Sequence, residues 1–411
     1  MKLRMVQSAV RLSALALAAA LGPSLPACSE DEGAAPTVGS EGGQAHASGG
    51  SPPAMGGVSA PGGNGGSSTL PSGGGVASGG QSTAAPAVRF VGRVDQSDPA
   101  GPRFAWSGAG VVARFSGTSV GVKLSGGQEF TVVLDGMERP KIAPGSGTTE
   151  IANGLSAGEH TIELYRRTEA SLGESQFLGF ELGGGQLLSA PAPANRRLEV
   201  VGDSITCGYG NEGANMDCPF TPGTENHYLS YAAIAARKLG AELHTVAWSG
   251  KGLICNYGDD ANSCTDPLPA YYDRSLPARA ESRFDFSQFQ PDVVVVNLGT
   301  NDFSTDSDPE PADFEAAYLA FLARLRALHA DAFLLLTIGP MLSGAELANV
   351  RQYITNVVRS RNDAGDHKVK SFEFEPQLAS DGYGCDWHPS RATHEKMALT
   401  LETVLKSTLD W

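Results

Sequence analysis

The chain has 411 residues, enough for two domains and a sizeable core. Its 30 basic and 45 acidic side chains leave a formal net charge of −15, which argues against nucleic-acid backbones and anionic membrane surfaces as partners. The 51 glycines are a local excess, so composition already points to a chain built in unlike parts.

Residues 1–11 carry Lys2, Arg4 and Arg11 with no acid, and an apolar run over 12–21 follows that is too short to span a bilayer as a helix. "LPAC" then ends at Cys28. This layout is that of a signal peptide over 1–27, and the cysteine after a small residue resembles a bacterial lipoprotein lipobox. The resemblance implies cleavage before Cys28 and lipid attachment to its thiol, hence an exported protein of the bacterial envelope. Residues 28–87 are almost entirely Gly, Ser, Ala, Pro and Thr, with no apolar period, and read as a flexible tether. A lipid anchor would be the protein's only membrane attachment.

Over 88–190 short alternating runs such as "GVVARFSG", "SVGVKLSGG" and "HTIELYRR" are broken by Gly and Asp, the pattern of an all-β sandwich. From 196 to 411 the pattern alternates between strand and helix. "RLEVVG", "AELHTVAWSG", "PDVVVVNLGTND", "AFLLLTIGP" and "KVKSFEFEP" read as strands. "ENHYLSYAAIAARKLG", "ADFEAAYLAFLARLRALHA", "SGAELANVRQYITNVVRSR" and "SRATHEKMALTLETVLKSTL" read as helices. That order predicts an α/β fold, a parallel sheet with helices on both faces and its chemistry at the C-terminal strand ends. Exported cysteines can pair. Cys255 and Cys264 bracket a short polar loop, and Cys218 with Cys385 is the second expected pair, leaving Cys207 as a buried thiol.

Three strands end in reactive or donor groups: "VVGDSIT", "VAWSGKG" and "VNLGTND". The C-terminal "DGYGCDWHPS" supplies a fourth. Ser204 is an alcohol placed at a helix start, where backbone N–H groups favour developing negative charge. Gly250 can present an unobstructed N–H and Asn301 a side-chain N–H₂. With the N–H of Ser204 they form an expected three-donor oxyanion hole. His388 is the candidate base and Asp386 the candidate orienter. Asp203 is expected to shape the turn, Asp302 to hold its loop, and Lys251 and His394 to be structural. Trp387 and Trp248 flank these blocks as tentative sugar contacts. "AWSGKG" around Ser249 does not supply the G-x-S-x-G elbow of the rival serine hydrolase fold, and the H-E-x-x-H zinc motif does not occur.

These four blocks, in this order, resemble the SGNH/GDSL hydrolase superfamily (a flavodoxin-like parallel sheet). "GDSITCGYGNEG", "WSGKGL" and "GYGCDWHPS", joined to an N-terminal β-sandwich, resemble carbohydrate esterase family 2 more specifically. That resemblance implies a jelly-roll domain before the SGNH domain and metal-free, cofactor-free removal of acetyl groups from plant polysaccharides such as acetylxylan or acetylated glucomannan. It implies an acetyl-Ser204 intermediate, a polysaccharide or oligosaccharide partner, and a monomer. Many SGNH enzymes carry the acid three residues before the histidine, where this chain has Cys385. Either Asp386 or a backbone carbonyl therefore steadies the imidazole. An unperturbed histidine base, with pKa near ~6.5, implies activity falling in acid. The sandwich shows no aromatic platform and is expected to buttress the catalytic domain.

Overall fold

The computed structural model describes residues 86–260, 263–304 and 308–411. The expected signal peptide, Cys28 and nearly all of the expected tether lie outside the described residues. Among the described residues, no helix is long and apolar enough to cross a membrane.

Eight strands form one antiparallel sheet at the N-terminal end. They are β1 (Val88–Val91), β2 (Arg103–Phe104), β3 (Gly110–Ser125), β4 (Phe130–Leu134), β5 (Met137–Ile142), β6 (Thr148–Arg166), β7 (Ser175–Glu181) and β8 (Gln186–Leu188). The long β3 carries the arrangement. It pairs with β6 along one edge, while β1, β8 and β7 share the other edge in turn. The β3–β6 register breaks between Gly117 and Ser119 and again at Val120/Gly121. Such breaks bend a strand and increase its twist, so both halves of β3 reach one core. Val111 and Phe115 from the first half, and Val122 and Leu124 from the second, join Phe104, Phe130, Ile162 and Leu164 there.

The second sheet is parallel, with β9 (Arg196–Gly202), β10 (Ala241–Ala247), β11 (Val293–Asn297), β12 (Phe333–Ile338) and β13 (Val369–Glu373) in the order β10-β9-β11-β12-β13. Alternate side chains of each strand serve opposite faces. Val293 and Val295 pack with Leu198, Val200 and Leu335 beneath α2 (Tyr231–Leu239) and α5 (Arg391–Leu409). Val294 and Val296 pack with Val201, Val246 and Leu336 beneath α3 (Pro311–Leu328) and α4 (Gly344–Asp363). Burial on both faces is why "VVVV" carries no polar alternation. Strand order reverses on either side of β9, and the crevice at such a switch point is where ligands bind in open α/β sheets.

Two sequence expectations are corrected. The helix read from Glu225 onward begins only at Tyr231. Ser230 caps it, accepting the N–H of Ala233, and Glu225, Asn226 and His227 are buried ahead of it instead. The helix after Gly-Asp-Ser, α1 (Ser204–Cys207), is a single turn closed by Gly208 at φ +82°. It is too short to build a macrodipole, so the useful donor at its start is the Ser204 N–H itself.

The β-domain is fastened to the α/β domain by buried polar groups. Arg93, fully buried, pairs with Glu199 of β9 at 3.2 Å and donates to the Tyr272 carbonyl. Its guanidinium lies over the rings of Tyr272, Phe284 and Phe286, 4.5–5.2 Å from their centroids. The Trp106 indole N–H donates to the Arg274 carbonyl at 3.1 Å. Removing one partner of a buried ion pair strands the other, at a cost of about 3–5 kcal/mol. Arg93→Ala is accordingly expected to lower the urea midpoint by that much stability, through an uncompensated Glu199. An unchanged midpoint would show that the pair contributes nothing.

Candidate active site

The four sequence blocks meet at the C-terminal edge of the parallel sheet. β9 ends at Gly202, and Asp203 follows as the N-cap of α1, its carboxylate accepting the Ile205 N–H at 3.0 Å. Full burial pushes the Asp203 carboxyl up to about 7. It shapes the turn, as its place in the sequence suggests. Ser204 follows, 7% exposed, with its N–H in the first turn where no helical carbonyl precedes it.

His388 Nε2 stands 2.9 Å from Ser204 Oγ, across 184 residues of chain. On its other side Nδ1 lies 3.1 Å from the main-chain carbonyl of Asp386 and 3.3 Å from that of Cys385. With the proton on Nδ1 donated to the Asp386 carbonyl, Nε2 is free to accept from the serine. The carboxylate of Asp386 is directed elsewhere. It accepts the Tyr209 hydroxyl at 2.9 Å and the Phe220 N–H at 3.2 Å. The Asp386 side chain is therefore not the third member of a triad, and the geometry is that of a serine–histidine dyad backed by a carbonyl.

The backbone explains the correction. Asp386 (φ 51°) and Trp387 (φ 64°) are two successive non-glycine residues in the left-handed region, an uncommon and strained pairing. That double turn carries the main-chain carbonyl, not the side chain, to Nδ1. The loop is held by Cys385, paired with Cys218, by the Cys385 N–H to the Gly210 carbonyl at 3.0 Å, and by Asp386 N–H to the Cys218 carbonyl at 3.2 Å. The second expected disulfide, Cys255–Cys264, is also present, and Cys207 is a buried free thiol.

Asp386→Asn tests this arrangement. Asparagine tolerates the left-handed conformation and leaves the carbonyl in place, so kcat is expected to fall less than about tenfold. A true triad acid replaced in the same way costs about 10⁴-fold. Steady-state kcat on an acetyl ester separates the two.

The donors lie on the neighbouring strand ends. Gly250, after β10, has φ +78°, and a Cβ there would meet nothing within 4 Å. The Asn301 side-chain N–H₂, after β11, donates to the Lys251 carbonyl at 2.9 Å, tying its loop to the Gly250 loop with one N–H still to give. Asp302 accepts the N–H groups of Leu253, Ile254 and Cys255 at 2.8–3.0 Å. It holds the loop, the part expected of it. Lys251 donates to the Asp266 carbonyl and lies over Trp248 and Tyr271, away from base chemistry. His394 is fully buried on α5, where its Nδ1 accepts the Tyr231 N–H.

Trp387 is half-buried beside Tyr383, with ring centroids 5.2 Å apart, and its carbonyl accepts from Gln377. Trp248 packs on the core edge against Tyr271 at 5.0 Å. One contributor was missed in the sequence reading. Tyr209, five residues after the serine, lies tilted against the His388 ring with centroids 4.2 Å apart and stacks on Phe220 at 4.2 Å. It clamps the imidazole while binding the Asp386 carboxylate. A tyrosine in a glycine-rich turn was the one available signal.

Residues 90–191 match the family described as Carbohydrate esterase 2 N-terminal, and residues 200–396 match the GDSL-like Lipase/Acylhydrolase family. A solved family two carbohydrate esterase from Clostridium thermocellum, in complex with cellohexaose, is 45% identical with a TM-score of 0.76. The match covers 79% of this chain and 99% of that one. The chain belongs to carbohydrate esterase family 2. This family 2 esterase is also 46% identical over 333 residues to the Cellulase/esterase CelE of Acetivibrio thermocellus, a match covering 79% of this chain and only 40% of the relative. It is 28% identical over 337 residues to an Acetylxylan esterase / glucomannan deacetylase of Cellvibrio japonicus, covering 79% of this chain and 90% of that protein.

Proposed function

We propose that this esterase removes O-acetyl groups from plant cell-wall polysaccharide through an acetyl-Ser204 intermediate. The observation that carries the reading is the 2.9 Å Ser204 Oγ–His388 Nε2 contact at the mouth of the sheet switch point. His388 takes the Ser204 proton as Oγ attacks the acetyl carbonyl. The oxyanion is assigned to the N–H groups of Ser204 and Gly250 and to Asn301. On collapse His388 gives its proton to the departing sugar oxygen, leaving Ser204 acetylated. Water then attacks the acetyl-serine with the same base, releasing acetate and restoring the hydroxyl. Through both steps the imidazolium is steadied by the Asp386 carbonyl at Nδ1.

The substrate class is supported by the glycan in the Clostridium relative and by the name of the Cellvibrio one. Trp387, half-buried next to His388, is assigned as the ring on which a sugar face stacks, with Trp248 as a lesser wall. Acetate release from acetylated xylan, acetylated glucomannan and defined 6-O-acetyl hexoses tests the reading. Preference for long-chain 4-nitrophenyl esters over the acetate would instead make it a broad acyl esterase. Attachment to the envelope through Cys28 is part of the same proposal. It rests on the sequence of residues 1–28 and is tested by labelled palmitate incorporation, which Cys28→Ala should abolish.

Desolvation sets the pH range. Removal of the imidazole from water pushes His388 down to about 4, only partly offset by the Asp386 and Cys385 carbonyls. The base works when neutral, so kcat/KM is expected to hold from neutral pH down to about 4 and to fall about tenfold per pH unit below that. The unperturbed value of ~6.5 would place the limb higher. A profile breaking near 6.5 would show a hydrated imidazole, and one with no acid limb at all would exclude a histidine base.

A further inference from the structure

Glu169 lies in the β-domain, in the loop between β6 and β7, yet its carboxylate reaches into the α/β domain. It accepts the backbone N–H of Ser249 at 2.6 Å, and the Cys207 thiol lies 3.7 Å from the same oxygen. Ser249 immediately precedes Gly250, and Cys207 ends the turn that Ser204 begins. One buried carboxylate thus touches both segments that carry the expected oxyanion donors.

The Gly250 loop has further anchors, four of them beside Gly250 itself. Trp248 N–H donates to the Gly202 carbonyl (3.3 Å), Lys251 N–H to the Trp248 carbonyl (3.2 Å), Tyr257 N–H to the Gly250 carbonyl (2.8 Å) and Asn301 to the Lys251 carbonyl. These come from within the α/β domain, as do the Asp302 bonds to Leu253, Ile254 and Cys255, whereas the Glu169 bond crosses from the β-domain.

Glu169 is itself held rigidly. Its N–H donates to Glu225 Oε2 at 3.0 Å, its Oε1 accepts from the Ser171 hydroxyl at 2.7 Å, and its carbonyl accepts from the buried Arg166 guanidinium at 2.8 Å. Desolvation, with the nearby Glu169 charge, pushes the Glu225 carboxyl well above the usual carboxylate range. Carboxylate oxygens of Glu169 and Glu225 and the Cys207 sulfur lie within 4.8 Å of one another. A cation there would compete with the Ser249 N–H for Glu169.

We infer that Glu169 is a positioning residue for the oxyanion hole, by which the β-domain sets the Gly250 peptide for catalysis. This rests on the serine-esterase reading above. A charge-assisted bond of this kind is among the stronger ones, and oxyanion donors act only within a narrow range of distance from the developing charge.

The test uses the full chain with 4-nitrophenyl acetate. Glu169→Asp keeps the charge but withdraws it by one methylene, and Glu169→Ala removes it. Both are expected to lower kcat by about tenfold or more while KM stays within about twofold, the signature of a lost transition-state interaction. Glu169→Gln keeps an acceptor oxygen and should retain kcat within about threefold. Trp106→Phe, which removes the indole donor to the Arg274 carbonyl at the same domain contact, should lower Tm but leave kcat unchanged. Wild-type kcat in Glu169→Asp, or an equal kcat loss in Trp106→Phe, overturns the inference. If Ser204→Ala hydrolyses as well as wild type, the esterase reading itself has failed.

Discussion

Ser204→Ala is expected to lower kcat for acetyl ester hydrolysis by about 10⁵–10⁶-fold, and His388→Ala by about as much. The two side chains meet at 2.9 Å and act as one unit, since the alcohol is a poor nucleophile until Nε2 takes its proton. The double variant should consequently lose little beyond either single one. Ser204 opens the single turn of α1 and His388 sits on a loop, both packed by other residues, so folding should survive. Ser204 is small, and its turn is fixed by the Asp203 cap and the Gly208 closure. Parallel measurement of kcat and Tm checks this. Additive losses in the double variant would mean that the two residues work separately, and an active Ser204→Ala would remove the acyl-enzyme.

Asn301→Ala is expected to cost about 10²–10³ in kcat, about 2.7–4 kcal/mol of barrier stabilisation, as for other single side-chain oxyanion donors. The loss has two sources. The amide N–H assigned to the oxyanion is removed, and the Lys251 carbonyl loses its 2.9 Å partner, loosening the Gly250 loop beside it. Asn301→Asp separates the sources poorly, because it adds a charge opposed to the oxyanion. Gly250→Ala is the better companion: space for the methyl is open, so its cost comes from the φ of +78° and reports loop geometry alone. KM for the ester should change little in Asn301→Ala. A loss confined to KM would assign the asparagine to ground-state binding.

Much of the site was legible because local rules place it. A β-αβ alternation puts strand ends on one edge, so Ser204, Gly250 and Asn301 were bound to converge once their strands were recognised. Asp302 as loop support and Asp203 as a cap follow from the same local chemistry of short acids near free N–H groups. The start of α2 was misplaced because Glu225–His227 look helical by composition. Their burial against the β-domain decided otherwise: the His227 N–H donates to the Arg167 carbonyl at 3.0 Å. Glu169 carried no signal at all. In "YRRTEASLG" it is one charge among several, and its reach to Ser249 spans 80 residues and two domains.

The sequence alone marked the candidate nucleophile, base and strand-end donors and pointed to the family. Each depends on residue identity at a fixed offset from a strand or helix that local patterning specifies. Tertiary structure decided what stands behind His388. Asp386 offers both a carboxylate and a carbonyl within reach of the loop, and residue type cannot choose between them. The choice was made by two left-handed backbone turns at Asp386 and Trp387, held in a loop anchored to Cys218 and Gly210. Contacts across more than 160 residues fix those dihedrals, and no short-range pattern encodes them.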